Sequence, residues 1–320
     1  MNNNIILTSI AISLISNNGK FSYSQTGEMY SKVSSYQVKR WLDKNWNEQK
    51  ELEKHITSLN IDWSQGWLMI DDTVIEKPFA KNIECVYWQY SSKNNNFITG
   101  ISLTVLLWSD GKRNIPIKFM VYEKDKNGKP IKTKNEFALF SLKYALDLGI
   151  RPKKVCFDSK YSSKELLNWL DNNKLVYFSQ LASNRSFNGQ QLKMRRFQPY
   201  TEQGYLKGVG HKVNVTKHCK RYYVTNATEK RITSQQIVKE YRDRWKIEVL
   251  FRNLKQLCHL EECQNYKTNA QKHYVYACIQ AYMLLEEQNK RSLYEAKKYF
   301  QQKFIGIKHN GNKALRLLAA

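Results

Sequence analysis

The order of apolar runs in this 320-residue chain predicts a mixed α/β sheet with a helical segment ahead of it. Three observations carry that expectation. Residues 1 to about 60 show apolar positions at helical spacing and no sustained alternation. From Trp67 to Tyr122 the chain turns to short runs of β-branched and aromatic residues, punctuated by Asp110-Gly111 and Asn127-Gly128. Beyond residue 130, helical periodicity alternates with two more short apolar runs, so helices and strands take turns.

Taken in order, Ile5 to Ile15 is an apolar run too short to span a bilayer. It lacks the basic start and small-residue cleavage site of a leader, so a packed helix is expected there. Ser24 to Gly27 followed by Val33 to Leu42 reads as a short helix, a turn and a basic helix. Such a unit suits a helix-turn-helix reader of DNA, and equally a small bundle packed on the main domain. Trp67-Leu68-Met69-Ile70 predicts a buried strand that ends in Asp71-Asp72-Thr73. Cys85–Tyr90, Thr99–Leu107 and Ile115–Tyr122 are further strands, and residues 133–149 form a helix stopped by Gly149. Val155-Cys156-Phe157 is a buried strand ending at Asp158, followed by a helix over 162–173 and a strand over Leu175–Leu181. Residues 184–232 are polar, basic and strand-like, a long helix is expected over 234–262, and the remainder is helical.

Charge narrows the partner. The chain carries 52 Lys+Arg against 28 Asp+Glu, a formal net charge of +24, and a polyanion is the natural neutraliser of such a surface. In the 184–232 segment, basic residues including Lys193, Arg195 and Arg196 alternate with aromatics such as Phe187, Phe197, Tyr222 and Tyr223. That mixture suits phosphate contacts combined with base stacking, and solvated hairpins share the composition. The six cysteines form no disulfide framework, which points to a reducing compartment. No paired CxxC spacing supports zinc at His218-Cys219 or at Cys258-His259 with Cys263, so ordinary thiols are expected.

Against this basic background, carboxylates gather at strand ends: Asp71 or Asp72 after one apolar run and Asp158 after another. Alternation along a strand lets only one of Asp71 and Asp72 face a given site. Asp71, the first residue past the apolar run, is preferred and Asp72 stays open. Acidic oxygens collected in a cationic protein call for a hard cation such as magnesium or manganese. Further on, Tyr241, Arg244, Glu248 and Lys255 fall within roughly 60° of one another at helical pitch, a stripe about 21 Å long.

The pattern Tyr241, Arg244, Glu248, Lys255 resembles the complete YREK signature of bacterial insertion-sequence transposases of the insertion-sequence-four type. Ile70-Asp71-Asp72-Thr73, Asp158-Ser159-Lys160-Tyr161-Ser162 and Ser183-Asn184-Arg185 are similar to that family as well, in family order over roughly residues 60–290. Two departures stand out: Lys160 replaces an aromatic or small residue, and the 184–232 segment contains no Trp to trap a flipped base.

The resemblance implies a catalytic domain of the RNase-H-like (retroviral-integrase-like) fold. It divides the chain into an N-terminal helical region (1–60) that is a candidate for DNA binding, the catalytic domain (61–183 and 233–303), a basic β-rich insertion (184–232) and a C-terminal tail (304–320). It implies that Asp71 or Asp72, Asp158 and Glu248 hold two Mg²⁺ ions, Mn²⁺ being able to substitute. Tyr241, Arg244 and Lys255, with Arg185, Arg195 and Arg196, would contact DNA. The implied activity is cut-and-paste transposition: cleavage at terminal inverted repeats, then transfer of the freed 3′-OH into target DNA. The implied partners are double-stranded DNA and a second copy in a synaptic homodimer, with no membrane, in the bacterial cytoplasm at the nucleoid. The alternatives are an RNase-H-like nuclease without strand transfer and an inactive DNA-binding remnant.

Overall fold

The computed structural model describes residues 3–16, 21–29, 33–91, 95–197, 200–227, 232–288 and 290–305. Most of the expected tail, residues 306–320, lies outside them. The chain divides into two compact units: residues 1–52, 73–103 and 249–320 form one, and 53–72 with 104–248 form the other.

The first unit is mainly helical. Its centre is α9 (Thr268–Glu286), buried nearly all round through Ala270, Tyr274, Ala277, Cys278, Ala281 and Tyr282. Helices α1 (Asn3–Ser16), α3 (Ser35–Asp43) and α10 (Leu293–Ile305) pack on it, and α2 (Tyr23–Met29) packs on α1 and α3. The apolar run of α1 is thus the packed helix expected, with Ile10, Ala11, Ile12 and Ile15 fully buried. Helix α3 starts in a capping box: Ser34 Oγ accepts from Gln37 N at 3.2 Å and Gln37 Oε1 accepts from Ser34 N at 2.7 Å. Val38, Trp41 and Leu42 face the bundle, leaving Tyr36, Lys39 and Arg40 exposed. These helices pack together and on α9 as a small bundle. The same unit holds β2 (Tyr87–Ser91), which pairs antiparallel with the opening residues of β3 (Asn96–Ser109).

The second unit carries the sheet. Its strand order is β4-β3-β1-β5-β6-β11-β10-β9, with β1 (Trp67–Glu76), β4 (Asn114–Val121), β5 (Val155–Phe157) and β6 (Tyr177–Leu181) in the expected places. Strands β1, β5 and β6 run parallel, with Leu68 opposite Val155 and Ile70 opposite Phe157. Helix α5 (Lys134–Asp147) opens on a Thr133/Glu136 capping box, and Gly149 just past its end sits at φ +80°. Helix α6 (Lys164–Asn172) is capped by Ser163. The mixed α/β class and the RNase-H-like sheet expected from the sequence are both present.

Two expectations need correcting and a third gains detail. Strand β1 does not stop at Ile70; it continues through Asp71 and Asp72 to Glu76, because Thr73-Val74-Ile75 prolongs the β-branched run. The strand-like 184–232 segment joins the sheet. After the small β7 (Ser186–Phe187) and β8 (Gln190–Gln191) hairpin, strands β9 (Glu202–Gly204), β10 (Val213–His218) and β11 (Arg221–Thr225) add to the free edge of β6. Finally, the single helix expected over 234–262 is two: α7 (Ser234–Arg242) and α8 (Trp245–Gln256). Between them Arg244 N, Lys246 N and Ile247 N each donate three residues back, to Tyr241 O, Asp243 O and Arg244 O, which tightens the backbone into 3₁₀ turns.

Candidate active site

Asp71 and Asp158 each come one residue after the last paired position of neighbouring parallel strands, Ile70 opposite Phe157. The register therefore sets them level, roughly one strand spacing (about 4.8 Å) apart in backbone. The third acidic residue arrives on the first turn of α8. Arg244 donates from Nη1 to Asp71 Oδ2 and from Nη2 to Glu248 Oε1, so one guanidinium joins two carboxylates 177 positions apart in sequence. This side chain is 15% exposed and its Asp71 partner 13%. Burial raises the Asp71 pKa to about 7; Arg244 opposes the rise, while Asp158 and Asp72 add to it. Asp158 is raised as well, mainly by burial, with Lys160 and Arg244 pulling it down and Asp72 pushing it up. Burial works against the charge of Arg244, but Asp71, Tyr241 and Glu248 outweigh it and hold the guanidinium firmly protonated.

Asp72 looks the other way along the pleat. Lys134 Nζ donates to its Oδ2 at 2.6 Å and Tyr161 Oη donates to its Oδ1 at 3.0 Å, with Lys160 Nζ 3.9 Å away. Two of these three partners escaped the sequence reading. Lys134 looked like a surface residue of a helix N-terminus. Tyr161 belonged to a motif noticed for its aspartate alone, yet it is fully buried. Lys160, noticed as a departure, gives its backbone N–H to Asp158 Oδ1 at 2.9 Å and leaves its ammonium exposed.

A cavity of about 910 Å³ opens beside Glu248. The turn between β10 and β11 supplies Lys220 and Arg221 to its wall, and the α7–α8 junction supplies Arg242, Arg244 and the half-exposed Trp245. Tyr223 and Tyr241 meet edge-on, with ring centroids 5.2 Å apart, and complete the lining. Two buried polar atoms here, Tyr241 Oη and Arg244 Nε, have no hydrogen-bond partner among the described residues. The Arg244 side chain lies close enough to act on the Tyr241 hydroxyl, and water, an ion or a ligand can satisfy what remains.

Three of the other expected DNA contacts are turned inward. Arg185 Nη1 donates to Ser162 O at 3.1 Å and braces the loop after Asp158. Arg195 pairs with Glu202 at 2.8 Å and lies over the Phe187 and Phe197 rings. Lys255 Nζ donates to Val74 O at 2.6 Å and pairs with Glu261 at 2.7 Å. Arg196 is exposed. The stripe expected of Tyr241, Arg244, Glu248 and Lys255 is thus divided among the end of α7, the tight junction and α8, and its two ends have different duties.

Among the described residues, no three acidic, histidine or cysteine side chains stand as a ready-made metal cluster. The donor chemistry of Asp71, Asp158 and Glu248 nonetheless fits a hard divalent cation: all are carboxylate oxygens, crowded enough for burial and mutual repulsion to raise two of their pKa values. Arg244 occupies the position of countercharge between two of them.

Residues 62–284 match the family described as transposase DDE domain, which is more than half of the chain. The fold matches a piggyBac transposase, solved by cryo-electron microscopy as a synaptic complex with hairpin DNA. That likeness has a TM-score of 0.55 at 16% sequence identity, covering 100% of this chain and 73% of the other. No curated protein matches the chain in sequence. On the strength of that match, over a segment that contains both strand-borne aspartates and the glutamate of α8, the chain belongs to the transposase DDE domain family and is a DDE transposase.

Proposed function

We propose that this transposase performs cut-and-paste transposition of a bacterial insertion sequence, with Asp71, Asp158 and Glu248 as its metal-holding triad. The observation that carries the reading is the Arg244 bridge: it gathers the first and third acidic residues around one cation, with the second level on the adjacent strand. Asp72, neutralised by Lys134 and hydrogen-bonded by Tyr161, is assigned to structure. The YREK likeness supports placement with transposases of the insertion-sequence-four type, and the basic charge supports double-stranded DNA as substrate and target.

Two magnesium ions held by the three carboxylates would supply activation of the attacking oxygen and stabilisation of the leaving one in an in-line displacement. The chain's own residues do the rest. Asp71, Asp158 and Glu248 present the oxygen ligands from two strands and a helix, so the spacing between ligands is fixed by the sheet and by the packing of α8. Arg244 leaves its carboxylates when DNA arrives and grips a phosphate through the same fork of N–H donors. Tyr241 Oη and Arg244 Nε, unpartnered now, then find acceptors on the DNA. Lys220, Arg221 and Arg242 hold the backbone at the cavity wall, and Trp245, Tyr223 and Tyr241 offer ring faces to bases. These contacts position DNA without reading its sequence; recognition of the terminal inverted repeats falls to base-reading groups elsewhere, for which the exposed Tyr36, Lys39 and Arg40 face of α3 is a candidate. A homodimer would hold the two ends together. No helix among the described residues is long and apolar enough to cross a membrane, and we assign the protein to the cytoplasm, at the nucleoid.

The test is incubation of the purified chain with Mg²⁺ and a duplex bearing the inverted repeats that flank its gene, scoring release of a 3′-OH and its joining to target DNA. Cutting with joining supports the reading. Cutting without joining assigns a nuclease on the same fold, and end binding without cutting assigns an inactive remnant.

A further inference from the structure

A chain with 52 Lys+Arg has no shortage of surface cations, yet Lys77, Lys118, Lys154 and Lys297 are buried among the described residues, and Lys154 lies at the foot of the sheet. Lys154 directly precedes β5 and is 6% exposed. An ammonium has three N–H donors, and burial is costly unless all are used. Here all three have acceptors: Asp243 Oδ2 at 2.6 Å, the Glu240 carbonyl at 3.1 Å and Glu240 Oε2. Every acceptor lies on the last turn of α7 or its cap, where a cation also meets the negative end of the helix dipole. The rings of Trp67, which opens β1, and Phe178 in β6 flank the ammonium at 5.4 and 5.7 Å. Cys156 Sγ reaches the same Glu240 carbonyl at 3.6 Å. The strand that delivers Asp158 is thus fastened to the junction that delivers Arg244 and Glu248, and the fastening point is one residue before Arg244.

We infer that Lys154 is a positioning residue for strand cleavage: its clamp on Glu240 and Asp243 sets where Arg244 and Glu248 stand against Asp71 and Asp158. This rests on the triad reading above. Without the clamp, Glu240 and Asp243, three residues apart on a helix end, repel each other, and the 3₁₀ junction is free to relax. A purely supportive lysine would behave differently. Methionine matches the lysine stem in volume, and removing one partner of a buried pair is costly only so far as the other partners stay buried. Glu240 and Asp243, 41% and 42% exposed in their side chains, can turn to water. Lys154→Met should therefore fold and bind DNA but misplace the catalytic groups. A displacement near 1 Å costs on the order of 100-fold in rate.

The experiment compares wild type, K154M, D243N and K154M/D243N on the inverted-repeat duplex with Mg²⁺, together with E248Q as a control. Read out are the single-turnover cleavage rate at saturating DNA, the DNA Kd, the melting temperature, and terbium luminescence of the DNA-free protein as a measure of ion binding. The expected result is a rate loss of at least about tenfold in either single variant, with Kd within about twofold, weaker terbium binding and a double variant no slower than the singles. If K154M fails to fold, D243N, altered on its exposed side, carries the comparison alone. Wild-type rate and terbium affinity in the folded variants, or losses that multiply in the double variant, would overturn the clamp. Cleavage surviving in E248Q, or a wild type that cuts nothing, would instead sink the triad reading on which the clamp depends.

Discussion

Arg244→Gln is the most informative single perturbation of this site, because it separates the arginine's duty in the free protein from its duty on DNA. In the free protein the guanidinium makes two charge-assisted contacts, to Asp71 and to Glu248, at side-chain exposures of 13% and 33%. Each such bond contributes about 1.5–3 kcal/mol, but the departing arginine regains water, so the bridge as a whole is worth about 2–3 kcal/mol. A divalent ion that takes these carboxylates must first displace it. Removing the competitor should therefore tighten ion binding by about 30- to 150-fold, at 1.4 kcal/mol per tenfold. The assay is titration calorimetry with Mn²⁺, or terbium luminescence, on DNA-free protein. Two companions follow from the same geometry. R244Q should melt earlier than wild type without ions, because Asp71 and Glu248 then face each other uncompensated, and added Mg²⁺ should recover the loss. Its DNA affinity should be weaker with a salt slope shallower by about 1, the signature of one lost phosphate contact. Ion affinity in folded R244Q equal to or weaker than wild type would refute the idea that Arg244 holds the place of the metal.

The remaining predictions concern chemistry, packing and pH. Glu248→Gln and Asp158→Asn should each abolish cleavage in the inverted-repeat assay and leave end binding within about twofold, as expected when only ion-holding oxygens change; metal-dependent cleavage in either would discard that residue from the triad. Gly66→Ala should destabilise by about 1–3 kcal/mol in chemical denaturation, since overpacking a filled core is costly. A Cβ there would lie 2.3 Å from Trp108 Cε2 and 2.4 Å from Ser109 O, and unchanged stability would mean that this wall yields. His273 is 1% exposed, donates Nδ1–H to Leu42 O at 2.8 Å and stacks on Trp46 at 4.2 Å; burial lowers its pKa against the pull of Leu42 and Glu48. The unfolded chain therefore binds the proton first, and stability should fall as pH drops below about 6.5, by up to about 1.4 kcal/mol per pH unit from this group. Lower hydrogen-exchange protection factors in α3 and α9 at pH 5.5 than at pH 7.5, with the intrinsic pH dependence of exchange divided out, check it, and His273→Gln should remove that component of the slope.

Much of this site was legible because its chemistry depends on residue type and order. Short apolar runs ending near Asp71 and Asp158 mark strands whichever way the chain later packs, while Glu248 stands out through the YREK likeness, since helical spacing alone reads equally as a charged surface. What stayed hidden depends on long-range packing. Nothing local announces that the helix tightens at Asp243, and Lys154, which holds that residue, lies 89 positions earlier. The inward turn of Arg185 and Arg195 was equally hidden. A basic residue in a polar stretch reads as surface until its acceptors, the Ser162 carbonyl and Glu202, are brought to it by the fold. The choice between Asp71 and Asp72 was open for the same reason. Alternation says that they face opposite ways, and only Lys134 and Tyr161 say which way is occupied.

The turn that joins β10 to β11 has a consequence for how such a protein can change. Cys219 adopts φ +54° there, and Lys220 and Arg221 follow it onto the cavity wall, on strands appended to the sheet and not among those that bear Asp71 or Asp158. Surface turns of this kind tolerate insertions and exchanges. If this cavity holds a DNA terminus as proposed, its shape and charge can drift, lengthen or be redesigned while the cutting apparatus stays untouched, so a lineage carrying this architecture can adopt new ends without reinventing its chemistry.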